Sequence, residues 1–221
     1  MTSTLHSDPA ATVLRRLLAA EEAGDPQAMA DAGLESPTRF PVELDAAARA
    51  EKFQDVYMSV SATGGELLYL LARASGARTV VEYGTSYGVS TIHLAAAVRD
   101  NGGGTVITTE LAERKAVAAQ RNVAEAGLDD LVDLRVGDAR ETLAQVPEPV
   151  DLVLLDGWPD LALDVLQVVE PALRPGSLVL VDDVDMDFGH DVHGPLLQHL
   201  AEHYASLKLP ISDGVQAAVR L

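Results

Sequence analysis

Five short apolar runs, at 79–83, 105–109, 131–136, 150–155 and 177–182, recur along the chain with helix-length intervals between them. Such runs, rich in Val, Ile and Leu, have the character of strands buried on both faces of a parallel sheet. The stretches between them, 90–99, 111–126, 139–145 and 160–173, carry helical spacing. Each strand-helix-strand unit should cross over right-handedly. The expected fold class is therefore α/β, a doubly wound Rossmann-like sheet, mostly parallel, with helices on both faces. After Asp183 the pattern changes. A helix near 194–205, the run Ser206 to Leu209, a Pro210-to-Gly214 turn and the run Val215 to Leu221 predict an antiparallel C-terminal pair at the sheet edge.

Upstream of the first run, helical patterns extend from about Pro9 to Glu22 and from about Glu43 to Tyr57, joined by a Gly24-to-Pro41 stretch whose prolines and glycines mark turns. A third helix starts near Gly64. At 221 residues the chain is expected to be one domain, a helical N-terminal portion over 1–57 and an α/β core over 58–221. Acidic residues outnumber basic ones 34 to 16, for a formal charge of −18, so a nucleic-acid partner would have to bind against the mean field and none is expected. The absence of cysteine excludes disulfides, thiolate metal sites and a cysteine nucleophile. No run approaches the ~20 apolar residues of a membrane span, and Met1 to Ala10 lacks the marks of a signal peptide. The expectation is a cytoplasmic protein without a membrane partner.

Function is most sharply indicated where the first run ends. Glu82-Tyr83-Gly84-Thr85-Ser86-Tyr87-Gly88-Val89-Ser90 reads as strand, glycine turn and helix start. Gly84 and Gly88 permit a tight turn and close approach to a ligand, and the free amides of a helix start face whatever sits there. The spacing is not the G-x-G-x-x-G of a dinucleotide pyrophosphate site, and an acid before the first glycine repels phosphate. A cationic or hydroxyl-bearing ligand fits better, and S-adenosylmethionine offers a sulfonium, an ammonium and a ribose. The remaining strand ends are acidic as well. Glu110 can accept both hydroxyls of a ribose, and Asp138 with Ala139 stands where an adenine edge could be met. Asp156, Asp182 and Asp183 would converge as three carboxylates, which repel one another unless a hard cation such as Mg²⁺ neutralises them.

These motifs, in this order, resemble the class I S-adenosylmethionine-dependent O-methyltransferases of the small, metal-assisted type, the catechol and caffeoyl-CoA group and its bacterial relatives. The resemblance runs from about Tyr57 to the C-terminus. It implies that Met58-Ser59-Val60 lays backbone over the cofactor, with Val60 in contact. It further implies that Glu82, Gly84, Ser86 and Ser90 hold the methionine part, Glu110 the ribose, and Asp138 and Ala139 the adenine. Leu154-Leu155-Asp156-Gly157-Trp158 resembles the strand-four motif, whose Asp is a metal ligand and whose Trp flanks the adenine or the substrate. Val181-Asp182-Asp183 resembles the Ala-Asp-Asn that completes the ligand set. The implied activity is transfer of a methyl group to a hydroxyl of a small aromatic or natural-product molecule, with Mg²⁺ or another divalent cation, in a homodimer.

Three positions depart from the family pattern. Pro159 stands where many members carry a basic lysine, Asp183 replaces the usual Asn, and Gln216 occupies the place of a substrate-contacting Glu. Without the lysine, a base is expected from His190 or His193 in the loop after the fifth run. The alternatives are a metal-independent small-molecule methyltransferase using such a histidine, and a catalytically idle relative that binds S-adenosylmethionine. A nicotinamide-dependent oxidoreductase would need a different glycine turn.

Overall fold

The structure, a computed structural model, describes residues 3–33 and 44–221. Its centre is a seven-stranded sheet: β1 (Thr79–Tyr83), β2 (Thr105–Glu110), β3 (Val132–Val136), β4 (Val150–Leu155), β5 (Leu173–Val181), β6 (Tyr204–Leu209) and β7 (Val215–Arg220). Their spatial order is β3-β2-β1-β4-β5-β7-β6. The first five are parallel, whereas β7 runs antiparallel to β5 and to β6, as the sequence pattern predicts. The order reverses between β1 and β4, and in an open α/β sheet ligands bind outside the carboxyl ends of the strands at that switch point.

Alternate residues of the central strands feed two cores. Val80, Val106, Leu152 and Leu154 pack on one face beneath α1 (Ala10–Asp31), α3 (Ala62–Ser75) and α4 (Val89–Asp100). Val81, Ile107, Val153 and Leu155 pack on the other beneath α6 (Ala139–Thr142), α7 (Ala162–Val169) and α8 (Gly194–His203). Every residue of α4 from Val89 to Val98 is buried, because α3 covers the side that the sheet leaves open. Local chemistry sets the helix ends. Ser61 caps α3 by accepting from the Gly64 amide at 3.0 Å, and Gly76 ends it in the left-handed conformation at φ 68°.

The N-terminal portion departs most from expectation. α1 does not stop near Glu22 but continues through Gly24 and Pro26 to Asp31. Proline costs one backbone bond there, while burial of Asp25 against the backbone of Tyr57 and Met58 holds the segment in place. The rest of the expected Gly24-to-Pro41 turn stretch, from 34 onward, and Glu43 at the head of the expected second helix lie outside the described residues. That helix, α2, covers only Ala46–Lys52, capped by Asp45. α5 (Glu113–Glu125) and the remaining elements fall within a few residues of their expected bounds. Pro159 and Pro171 instead divide the expected 160–173 helix into α7 and two flanking 3-10 turns. Among the described residues no helix is long and apolar enough to cross a membrane.

Candidate active site

At the carboxyl ends of β1, β2 and β4 the chain encloses a cavity of about 300 Å³. The glycine turn forms its floor. Gly84 has φ 102°, and a side chain there would meet the Asp156 carbonyl oxygen at 2.3 Å, so only glycine allows the ends of β1 and β4 to lie this close. Beneath the turn, Glu82 is fully buried and accepts from the Thr91 and Thr108 hydroxyls, both at 2.5 Å. Burial raises its pKa, while Ser90, Thr108 and Thr91 oppose the rise. Its Oε1 has no hydrogen-bond partner.

Glu110 is held differently. Its carboxylate accepts from the Ser86 amide and from the Ala112 amide, each at 2.8 Å, which locks it at the mouth of the turn. The Ser86 hydroxyl donates to the Tyr57 carbonyl, tying the turn to the strap of Tyr57, Met58 and Ser59. Asp138 lines the cavity with Ala139, but its side chain is occupied: it caps α6 through the Arg140 amide at 2.9 Å and pairs with the Arg140 guanidinium at 2.6 Å. Gly84, Ser86, Glu110, Asp138, Ala139, Asp156 and Trp158 thus share one cavity, whereas Val60, Glu82 and Ser90 lie behind its wall.

The other end of the cavity is bounded by Asp156, Asp182, Asp183 and Asp213 with Met186 and Phe188. Protein encloses Asp156 on every side but the cavity, and burial followed by repulsion from Asp182 and Asp183 pushes its pKa well upward. Asp183, at φ 59°, is pushed up to about 7 by burial and by Asp182 and Asp213. Asp182 Oδ1 is buried without a partner. Oxygen donors and unrelieved repulsion are what a hard cation would answer, yet no three acidic or histidine side chains among the described residues converge to hold one ion. Asp156, Asp182 and Asp183, the expected Mg²⁺ ligands, stand at one end of the cavity, and each has its carboxyl pushed upward first by burial.

The expected bases are placed elsewhere. His190 is exposed outside the cavity, and its ring contacts the Phe188 carbonyl at 3.2 Å. His193 is buried behind Phe188, ring centroids 5.7 Å apart, with neither ring nitrogen hydrogen-bonded. Burial lowers its pKa, against an upward pull from the nearby Asp183 backbone. Gln216 sits within β7 and does not reach the cavity, where Asp213 takes the nearest position.

Residues that the sequence left unassigned complete the enclosure. Glu21 and Asp25 of α1 line it and hold the strap: Asp25 accepts from the Tyr57 and Met58 amides at 2.8 and 3.2 Å, and Glu21 accepts from the Ser59 amide at 2.9 Å. Arg49 of α2, only 2% exposed, makes a bidentate pair with Asp160 at 2.8 and 2.7 Å and lies 5.0 Å from the Trp158 ring centroid. That clasp seats Phe53 and α2 over the aromatic wall. Lys115 is the cavity's only lysine or arginine among the described residues.

A mostly parallel sheet in the order 3-2-1-4-5-7-6, with a glycine turn after β1 and an acid at the end of β2 beside its switch point, defines the Rossmann-like methyltransferase class. Residues 81–184 match the family described as "Methyltransferase domain". The chain is 34% identical over 191 residues to a protein assigned as an O-methyltransferase in Mycolicibacterium smegmatis, a match covering 79% of this chain and 89% of that one. It is 36% identical over 134 residues to a catechol O-methyltransferase of Niastella koreensis, covering 59% of this chain and 60% of the relative's length. Among solved structures, the O-methyltransferase TomG from Streptomyces achromogenes, involved in tomaymycin synthesis and crystallised with S-adenosylmethionine, superposes with a TM-score of 0.66. It is 28% identical, over 90% of this chain and 98% of that one. The chain belongs to the O-methyltransferase family.

Proposed function

We propose that the protein is an S-adenosylmethionine-dependent O-methyltransferase acting on a hydroxyl of a small molecule. The observation that carries this reading is one continuous cavity, with cofactor-type groups (Gly84, Ser86, Glu110) at one end and the carboxylates Asp156 and Asp183 among Met186, Phe188 and Trp158 at the other. Its residues fit the cofactor: Gly84 lets a ligand approach the turn closely, and Glu110 is fixed by two amides with lone pairs left for hydroxyls. Bound there, S-adenosylmethionine would supply a methyl group already activated on sulfonium.

The protein's own contribution is positional and electrostatic. Phe53, Trp158 and Pro159 exclude water and orient an aromatic acceptor, with α2 held down by Arg49 and Asp160. The acceptor hydroxyl must lose its proton as its oxygen is methylated. Pro159 offers no amine, and neither loop histidine reaches the cavity. The proton passes to a carboxylate oxygen of Asp156 or Asp183, whose mutual repulsion favours uptake of one proton. This makes the metal-independent variant of the reaction the better fit to the side chains as placed, with carboxylate in place of histidine as the base.

The test is methyl transfer from labelled S-adenosylmethionine to a panel of phenols with vicinal or isolated hydroxyls, with Mg²⁺ and with EDTA. Turnover that survives EDTA supports this reading. Turnover abolished by EDTA and restored by Mg²⁺ would return Asp156, Asp182 and Asp183 to the role of metal ligands, and binding of S-adenosylhomocysteine with no turnover on any acceptor would mark an idle relative.

A further inference from the structure

Lys115 occupies the third position of α5, in a charged Glu113-Arg114-Lys115 turn that reads as solvated surface. It is instead 7% exposed and lines the cavity next to Glu110, Leu111 and Ala112. Among the described residues it makes no hydrogen bond and no ion pair, and its one ring contact is the Tyr87 face, 5.8 Å from its Nζ. An ammonium on a side chain this far withdrawn from solvent, facing a cavity and without an acceptor, is costly. The acids around it do not relieve that cost directly. Glu110 is turned to the Ser86 and Ala112 amides, Asp25 to the Tyr57 and Met58 amides, Glu21 to the Ser59 amide, and Asp55 pairs with Arg114 at 2.9 Å. All four act on Lys115 only through space, raising its pKa against the burial that lowers it. An unpaired ammonium beside a carboxylate whose two oxygens each accept one amide and keep a further lone pair is a pair that a hydroxyl can bridge, donating a hydrogen bond to the acid and accepting one from the amine.

We propose that Lys115 is a cofactor-binding residue that works with Glu110 as a diol clamp, its ammonium donating a hydrogen bond to a ribose hydroxyl oxygen whose own O–H donates a hydrogen bond to the Glu110 carboxylate. This rests on the cofactor reading above and adds a residue and a polarity to it: the site recognises a vicinal diol by an acceptor and a donor together. The clamp also joins the ligand to α1, since Glu21 and Asp25 complete the field around Lys115 while anchoring the strap of Tyr57, Met58 and Ser59. Sugar recognition and the anchoring of the strap to α1 thereby share one charge.

The experiment is calorimetric titration of wild type, Lys115→Met and Lys115→Arg with S-adenosylhomocysteine and with its 2′-deoxy and 3′-deoxy analogues, folding being checked by urea denaturation. Loss of one charged hydrogen bond should weaken S-adenosylhomocysteine by about 10- to 100-fold in Lys115→Met. For the analogue missing the bridged hydroxyl, the variant and the wild type should bind alike, and Lys115→Arg should recover part of the loss. Undiminished affinity in Lys115→Met overturns the inference. So does an equal loss for all three ligands, the mark of a merely structural role. If Lys115→Met does not fold, Lys115→Gln, which keeps a neutral donor, carries the same comparison. Failure of the wild type to bind S-adenosylhomocysteine would overturn the cofactor reading itself, an outcome distinct from binding that ignores Lys115.

Discussion

Asp151 is the second residue of β4 and Asp156 follows its last, yet their carboxylates are shifted in opposite directions. Burial acts on Asp151 too, but the Arg78 and Thr79 amides at 2.9 and 3.0 Å and the Arg174 guanidinium at 2.7 Å outweigh it and hold the pKa low. Glu170, at the same end of the sheet, is likewise low, because Tyr204, His199 and Arg220 all donate to its Oε1 and overcome its burial. Asp156 has no such donors set against its burial and faces Asp182 and Asp183 instead. One end of the sheet uses acids to tie strands together. The other keeps acids under repulsion, which costs stability and leaves them ready to take a proton.

The sharpest way to break this contrast is Asp156→Asn. Turnover should fall by about 10³-fold, the scale of a lost acid-base group, while the urea midpoint stays level or rises because a repulsive charge is gone. Retained turnover with lowered stability would mean that Asp156 belongs with the structural acids. The pH dependence of stability is expected to change next most. Asp151 and Glu170, with lowered pKa values, contribute stability above about pH 4 that is lost as pH falls. Asp183 acts with the opposite sign. With a pKa of about 7, its penalty is present at alkaline pH and is relieved as pH falls through 7 toward the unfolded value. Denaturation midpoints should therefore peak near about pH 4 and fall toward about pH 7, and Asp183→Asn should flatten that falling limb by something on the order of 3 kcal/mol. An unchanged limb in that variant would place the Asp183 charge in solvent.

The apolar runs announce the sheet because both faces of a central strand must be apolar, and the two cores alternate along Val80 and Val81 as that demands. Gly84 and Glu110 were legible for the same reason: a strand end with a required glycine conformation, or a lone acid closing an apolar run, leaves a local mark. The remaining part of the site is made by distant packing. Glu21 and Asp25 look like the exposed acids of an amphipathic helix, and only the docking of α1 on residues 57–59 buries them. Lys115 reads as a solvated helix start, yet it is buried facing the cavity and the Tyr87 ring. His190 and His193 stood in a polar loop after the fifth run, and nothing local indicated that Phe188 would shield one of them and leave the other outside.

Glu170→Gln probes the stabilising end alone. Removing the charge that three donors share in a side chain 17% exposed should cost about 2 kcal/mol in urea denaturation and leave S-adenosylhomocysteine affinity unchanged. A loss of affinity would show that the two ends of the sheet are coupled. The smallest effect is expected at Asp138, which stands at the cavity end but is held like the acids of the opposite end: the Arg140 side chain, ahead of any burial, keeps its pKa low. Asp138→Ala should cost about 1 kcal/mol through the lost α6 cap. It should change S-adenosylhomocysteine affinity by less than about threefold, because the carboxylate is already engaged and only the neighbouring backbone is free to meet an adenine. A tenfold loss would mean that Asp138 leaves Arg140 to bind the ligand, and position along the strand, rather than the donors around a carboxylate, would then decide which acids of this sheet serve the site.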